Sequence, residues 1–327
     1  MHNGPFTNNS DLMKDNKILI FGGSGSLGNK LIEKYSSTNI IYNFSRDECK
    51  HWQMESEYGK KITNIIGDIR NYSKVFETLQ RINPNIIIIC SALKHIDKCE
   101  YAIDESLQTN VMGTKNVLDA VENHNNINLQ SVVFISTDKA CSPINVYGLC
   151  KSLSEKLMVE RSMFIKNIKF ITVRYGNVLT SRGSIIPILQ KHVQSGTKLT
   201  LTSDLMTRFL MTLEDSCDLI NYGILHGLTG EIIIPDLKSM KIIDLFEIFS
   251  EKHGNEIDII GIRPGEKFDE SLINENESIM SYKKDGYYHI TPSYLKNNLC
   301  DKFCYHSGQN VISKEQLKEY LTEKNLL

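Results

Sequence analysis

The chain has 327 residues, enough for one large domain with an appended lobe and an ample core. Its formal net charge of −2 favours neither nucleic acid nor an anionic membrane surface as a partner. Its eight cysteines are scattered, and Cys300 with Cys304 makes a poor zinc site, so free thiols in a reducing compartment and no metal are expected.

The first sixteen residues read as a polar, irregular leader with no apolar stretch long enough for a signal peptide. Lys17 to Phe21 then reads as a strand, Leu27 to Tyr35 as a helix and Ile40 to Phe44 as a strand. Lys61 to Ile66 is a third strand, Tyr72 to Ile82 a helix and Ile86 to Cys90 a fourth strand. The apolar run Ile86 to Ile89 is far too short to span a bilayer, so a soluble, cytoplasmic protein is expected. Glu105 to His124 reads as one long helix, Ser131 to Ile135 as a fifth strand, Asn145 to Phe164 as a helix and Ile168 to Arg174 as a sixth strand. Strands of continuous β-branched residues alternating with helices imply a parallel sheet covered on both faces. Past Gly176 the rhythm breaks into smaller, mixed elements, and a short helix follows Ser313.

The glycine run supports a Rossmann-type, doubly wound α/β fold. Gly22, Gly25 and Gly28 are spaced three apart, directly after a strand and at the opening of a helix. Such a turn lets backbone approach a pyrophosphate whose charge meets the helix N-terminus. Gly22, Ser24, Gly25, Ser26, Leu27 and Gly28 are therefore cofactor candidates. The dinucleotide-binding domain is expected over 17–180 and 213–235, and a smaller mixed α/β substrate lobe over 181–212 and 236–327.

The end of the second strand chooses the cofactor. Ser45 and Arg46 arrive first there and suit the 2′-phosphate of NADP. Asp47 argues for NAD, unless it caps the following helix. NADP is the preferred reading. Asp68 and Ile69 follow the third strand and can meet adenine, with helix capping the alternative for Asp68. Ser91, Ala92 and Lys94 follow the fourth strand, where the dinucleotide crosses the sheet edge.

The reacting groups follow the fifth strand. Thr137, Asp138 and Lys139 stand just beyond it, where ligands of open α/β sheets bind. Tyr147 and Lys151 are four apart on a helix and share a face. A tyrosine ordinarily titrates near about 10, and a neighbouring ammonium lowers that value. Tyr147 so tuned takes a proton from a sugar hydroxyl while hydride leaves the same carbon. Asp138 and Lys139 add an acid and a base, which points past oxidation toward elimination.

These motifs in this order resemble the extended short-chain dehydrogenase/reductases, and more narrowly the 5-inverting UDP-N-acetylglucosamine 4,6-dehydratase family. The resemblance runs from about Lys17 to Ser278. It rests on the glycine turn, Ser45 to Glu48, Ser136 to Ala140, Pro143 to Gly148, Val173 to Val178, Ser181 to Ser184, Met206 to Phe209 and Ile262 to Lys267. It implies an internally recycled NADP and three steps. Tyr147, with Lys151 and Thr137, removes the 4-hydroxyl proton as hydride leaves carbon 4. Lys139 then takes the carbon-5 proton while Asp138 helps the 6-hydroxyl depart as water. Hydride returns to carbon 6 and a proton to carbon 5, on the opposite face if the configuration inverts. A lysine serves as that base only if burial or nearby charge lowers its pKa. For the UDP-sugar, Arg182, Arg208 and Arg263 suit the diphosphate, Asn177 the sugar or phosphate, and Lys94 is a further contact. Glu266 falls near the ribose by resemblance, which also supplies the preference for an N-acetyl sugar. A homodimer or larger homo-oligomer is expected, because the helices at Glu105–His124 and Asn145–Phe164 often pair in similar proteins. The rivals are a nucleotide-sugar 4-epimerase, a retaining dehydratase and a non-catalytic dinucleotide sensor.

Overall fold

The structure, a computed structural model, describes residues 13–124, 128–295 and 301–327. Most of the polar leader, together with Cys300, lies outside the described residues. The chain opens with β1 (Lys17–Phe21), α1 (Ser26–Tyr35), β2 (Ile40–Ser45), α2 (Glu48–Tyr58), β3 (Ile62–Ile66), α3 (Tyr72–Ile82) and β4 (Ile86–Ile89). Next come α4 (Ile96–Tyr101), α5 (Ile103–Ser106), α6 (Gly113–Asn123), β5 (Ser131–Ile135), α7 (Val146–Phe164) and β6 (Lys169–Val173). The run then continues through α8 (Ile185–Ser195), β7 (Leu199–Leu201), β8 (Thr207–Phe209), α9 (Leu213–His226), β9 (Ile232–Pro235), β10 (Ser239–Lys241) and α10 (Ile242–His253). It closes with β11 (Ile257–Ile259), β12 (Ser271–Ile273), α11 (Glu275–Ser278), β13 (Ser281–Lys284), β14 (Tyr287–Ile290), β15 (Tyr305–His306) and α12 (Lys314–Glu323).

Nine strands form the central sheet in the order β13-β14-β9-β6-β5-β4-β1-β2-β3. From β9 to β3 every pairing is parallel. Both faces are covered, so all four isoleucines of β4 and all five residues of β5 are buried. One apolar core fills each face, and a third lies in the lobe among α8, α10 and α12. The strand order reverses between β1 and β4, which opens a crevice at their carboxyl ends.

Two expectations are corrected. The lobe does not take everything after 236, because β14 pairs antiparallel with β9 and carries β13 onto the sheet edge. Their alternating, turn-separated pattern at Ser281–Ile290 is a hairpin that fits that open edge. The long helix at Glu105–His124 is not uniform, since Leu107–Met112 is a π-helical turn between α5 and α6. Inside that turn the Asn110 side chain accepts from the Leu93 N–H at 2.8 Å and donates to the Leu93 carbonyl at 2.9 Å. The widened turn thus clasps the loop after β4, a functional use typical of π-bulges.

Candidate active site

The glycine turn follows β1. Gly22 has φ +86°, and a Cβ there would stand 2.8 Å from the Ser91 backbone nitrogen. The turn therefore needs glycine and lies against the end of β4 beside Ser91 and Ala92. Gly25 is the N-cap of α1; no side chain caps this end and its first turn holds no acid. Ser24 and Gly28 are buried and Leu27 is half-buried around it. Open N–H groups on a helix terminus that no side chain caps fit a dinucleotide pyrophosphate. Ser26 Oγ accepts the Arg182 N–H at 2.9 Å, so the loop after β6 is seated on this turn. Lys94 Nζ reaches the same loop, donating to the Arg182 carbonyl at 2.9 Å.

At the end of β2, Ser45 Oγ lies 2.6 Å from His51 Nε2, and Arg46 is exposed. Asp47 caps α2 by accepting from the Lys50 N–H at 3.1 Å and pairs with the Lys50 ammonium at 2.7 Å. Asp68 is no helix cap, because Asn71 caps α3. It accepts from Arg70 Nε at 2.9 Å and Nη2 at 2.7 Å and lies 3.7 Å from Arg46. Burial works against its charge, but the Arg70 bonds outweigh burial and hold the carboxyl below its ordinary range. The Ile69 side chain is buried in the core, and its carbonyl accepts from Asn116 at 3.1 Å. That leaves no Ile69 side chain for a cofactor.

The reacting turn follows β5. Asp138–Ala140 is one turn of 3₁₀ helix capped by Thr137, whose hydroxyl donates to Asp138 Oδ1 at 2.8 Å. Asn145 caps α7 by accepting the Gly148 N–H at 2.8 Å. Gly148 then passes so close to the 3₁₀ turn that Tyr147 is delivered beside Thr137. Burial and the Asp138 charge push the half-buried Tyr147 phenol up, and the neighbouring Thr137 hydroxyl offsets only part of this. The expected lowering by Lys151 does not occur. The Lys151 ammonium donates to the Ile135 carbonyl at 2.7 Å and lies 4.3 Å above the Phe134 ring centre. Burial pulls Lys151 itself down to about 8.

Lys139 also differs from expectation. Its ammonium donates to Asp138 Oδ1 at 2.9 Å and Asn177 Oδ1 at 2.7 Å, and Glu270 Oε1 lies 3.1 Å away. Burial disfavours the charge, yet Asp138 and Glu270 together lift Lys139 above the ordinary lysine value. It therefore rests as an ammonium. Burial lifts the Asp138 carboxyl above its usual range despite Lys139.

The lobe residues divide. Arg208 is nearly buried and donates to the carbonyls of Thr207 at 2.7 Å, Phe268 at 3.0 Å and Lys267 at 3.1 Å. It braces the 263–268 loop, so its guanidinium is largely engaged before any phosphate arrives. Arg263 and Arg182 are exposed, and Glu266 Oε2 accepts the Arg263 N–H at 3.2 Å. Asn145 holds this loop through the Gly265 carbonyl at 3.0 Å, and Lys267 Nζ holds it through Ser142 at 2.8 Å. Arg263 and Glu266 thus hang beside the start of α7.

Glu270 escaped the sequence reading, as did the buried ion pairs of Arg174 with Glu155 at 2.6 Å and Glu277 at 2.7 Å. The usable signal was the acidic pair Asp269–Glu270 just ahead of the apolar Leu272–Ile273 pair. The described residues contain no group of three side chains suited to a metal, and no helix long and apolar enough to cross a membrane.

Taken together, the chain is a Rossmann-type α/β protein with a buried cluster of charged side chains after β5, beside the crevice where the strand order reverses. It belongs to the polysaccharide biosynthesis protein family, whose model matches residues 18–292. A UDP-N-acetylglucosamine 4,6-dehydratase (inverting) of Campylobacter jejuni is 38% identical over 84% of this chain and 83% of its own. A UDP-glucose 4-epimerase of Rickettsia rickettsii is also 38% identical, with the same coverage. The solved structure of Pen from Bacillus thuringiensis superposes with a TM-score of 0.87 at 32% identity, covering 96% of this chain and 99% of that one. The resemblance read from the motifs therefore holds, while the relatives' names divide between dehydratase and epimerase.

Proposed function

We propose that this chain is an NADP-dependent UDP-N-acetylglucosamine 4,6-dehydratase that inverts carbon 5. The observation that carries the reading is the buried Asp138–Lys139 pair at 2.9 Å, next to the Thr137–Tyr147 pair. Oxidation at carbon 4 needs only the tyrosine, whereas loss of water needs an acid and a base in distinct environments. Asp138 Oδ2 is buried without a hydrogen-bond partner, which supports the reading of a carboxyl with an oxygen free for a leaving hydroxyl.

A bound nicotinamide dinucleotide supplies storage for the hydride taken from carbon 4 and given to carbon 6. Gly22, Ser24, Gly25, Ser26, Leu27 and Gly28 would hold its pyrophosphate, and Ser45 with Arg46 its 2′-phosphate. The capping role of Asp47 supports NADP, because that carboxylate is committed to α2. Tyr147 accepts the 4-hydroxyl proton in its phenolate form, which burial and Asp138 disfavour in the free protein, and Thr137 orients the oxygen. Lys139, as the amine, takes the carbon-5 proton, and Asp138 gives its proton to the departing oxygen. Arg182, Arg263, Asn177 and Glu266 would meet the UDP-sugar, with Lys94 beside the diphosphate. The division into a cofactor unit and a substrate lobe, a cytoplasmic location and a homo-oligomer complete the reading.

The Rickettsia relative favours a second reading, 4-epimerisation. Incubation with UDP-N-acetylglucosamine in deuterated water separates the two. Dehydration gives a 4-keto-6-deoxy product with deuterium at carbon 5 and inverted configuration there, seen by mass and proton NMR. Epimerisation gives UDP-N-acetylgalactosamine without deuterium, which would overturn the dehydratase reading.

A further inference from the structure

Glu270 has no place in the scheme so far, yet it completes the coordination of Lys139. That ammonium donates to Asp138 Oδ1 at 2.9 Å and Asn177 Oδ1 at 2.7 Å, and it pairs with Glu270 Oε1 at 3.1 Å. Two carboxylates therefore share one buried cation. The second Glu270 oxygen, like the second Asp138 oxygen, is buried with no hydrogen-bond partner. Other charges face the group. Arg208 Nε stands 3.8 Å from Glu270 Oε1, Lys267 acts on Glu270, and Tyr147 faces Asp138.

The backbone around Glu270 is held in place. Its N–H donates to Ser307 Oγ at 2.9 Å and its carbonyl accepts from the Ser307 N–H at 2.8 Å. Two residues on, the Leu272 carbonyl accepts from Arg174 at 2.8 Å. Arg174 is bound to Glu155, which accepts from Ser136 Oγ at 2.5 Å, one residue before Thr137. Glu270 and the reacting turn are thus parts of one braced unit.

We propose that Glu270 is a positioning residue for water elimination, holding Lys139 on Asp138 and keeping that pair loaded with its working proton. This rests on the dehydratase reading. At rest the pair is carboxylate and ammonium. One proton passes from Lys139 Nζ to Asp138 Oδ1, so an N–H bond breaks, an O–H bond forms and total charge is unchanged. The Lys139 amine then takes the carbon-5 proton, and the C–H electron pair becomes the new carbon–carbon double bond. The carbon–oxygen bond at carbon 6 breaks as the Asp138 proton joins that oxygen, which leaves as water. Carboxylate and ammonium are restored. Throughout, the Glu270 anion favours the protonated form of both partners, by attraction on Lys139 and by like-charge repulsion on Asp138.

Glu270→Gln keeps the shape and removes the charge. The alkaline limb of the dehydration rate, where the pair loses its shared proton, should move down by about one pH unit or more. A merely structural Glu270 would lower the rate and leave the limb in place, and that result overturns the proposal. If the wild type forms no keto sugar, the dehydratase reading fails first. The proposal is then decided by nitrogen NMR of the Lys139 ammonium, assigned with Lys139→Arg. A midpoint lower in Glu270→Gln than in wild type supports it, and equal midpoints overturn it. If the amide variant does not fold, Glu270→Asp carries the test. Its shorter side chain withdraws the carboxylate from Lys139, so a limb moved down by less than a pH unit supports the proposal, and an unmoved limb overturns it.

Discussion

The carbonyl oxygen of Lys139 stands 2.2 Å from where a Cβ on residue 148 would lie. Gly148 therefore lets α7 press directly on the reacting turn, and that contact sets Tyr147 beside Thr137. A methyl group there must push the helix from the turn, because the obstacle is backbone. Gly148→Ala should destabilise the fold by about 1–3 kcal/mol. It should lower kcat by roughly 10²-fold through misplacement of Tyr147. Urea midpoints and steady-state rates check this, and a wild-type kcat would remove the contact from the argument.

On the proposed dehydratase reading Asp138 and Tyr147 act at different steps, so their losses should look different. Asp138→Asn keeps the shape but has no acidic proton for the leaving hydroxyl. Water loss should fall by about 10²–10⁴-fold while carbon-4 oxidation continues. Reduced nicotinamide should then accumulate, visible by its near-ultraviolet absorbance. Tyr147→Phe should show neither turnover nor reduced cofactor, while still retaining the dinucleotide. Dehydration at the normal rate in Asp138→Asn would contradict the assigned acid.

Cofactor choice turns on Arg46, which lies 3.7 Å from Asp68 in a cluster that Arg70 shares. A 2′-phosphate would replace Asp68 as the partner of Arg46. Arg46→Ala should weaken NADP by about tenfold or more and leave NAD nearly unchanged. Titration of both dinucleotides into stripped protein measures it. Equal losses would place the 2′-phosphate elsewhere.

How much of this was written in the sequence depends on the distance over which each feature is encoded. The strands up to β6 and the helices between them are local patterns, and Tyr72–Ile82 and Ser131–Ile135 were legible to the residue. The glycine turn and the Thr137–Lys139 turn were legible because chemistry and chain position coincide there. The direction of the Lys139 shift was not legible, since it depends on Glu270, 131 residues away in the chain. The same holds for Arg174, whose partners Glu155 and Glu277 come from two distant helices. The β13–β14 hairpin was read as part of the lobe because short polar strands carry no mark of the sheet they join.

Association between copies should use the helices that flank the site. Leu107 and Met112 on the π turn, with Leu149 and Leu153 on α7, are exposed apolar side chains. Contiguous exposed apolar surface of this kind marks an association face. Sedimentation should show a dimer or a multiple of one. Leu149→Asp with Leu153→Asp should give monomers that still fold, and an unchanged sedimentation coefficient would move the interface to another face.

Lys151 leaves a signature in stability. Its folded value is about 8, below the roughly 10.4 of an unfolded lysine. Below pH 8 both states carry the charge, and the folded state bears the full cost of a desolvated ammonium. Between the two values the folded chain has released a proton that the unfolded chain still binds, so stability rises with pH. Lys151→Met removes this dependence. Near pH 7 it should be more stable than wild type by roughly 1–3 kcal/mol, after about 1 kcal/mol is lost by leaving the Ile135 carbonyl without its donor. The gap should shrink as pH rises toward 10, while contributions common to both proteins, such as Lys139, cancel in the difference. Urea unfolding of cofactor-free protein at both ends of that range measures the gap. A constant gap would mean that Lys151 titrates like any surface lysine and that burial does not tune it.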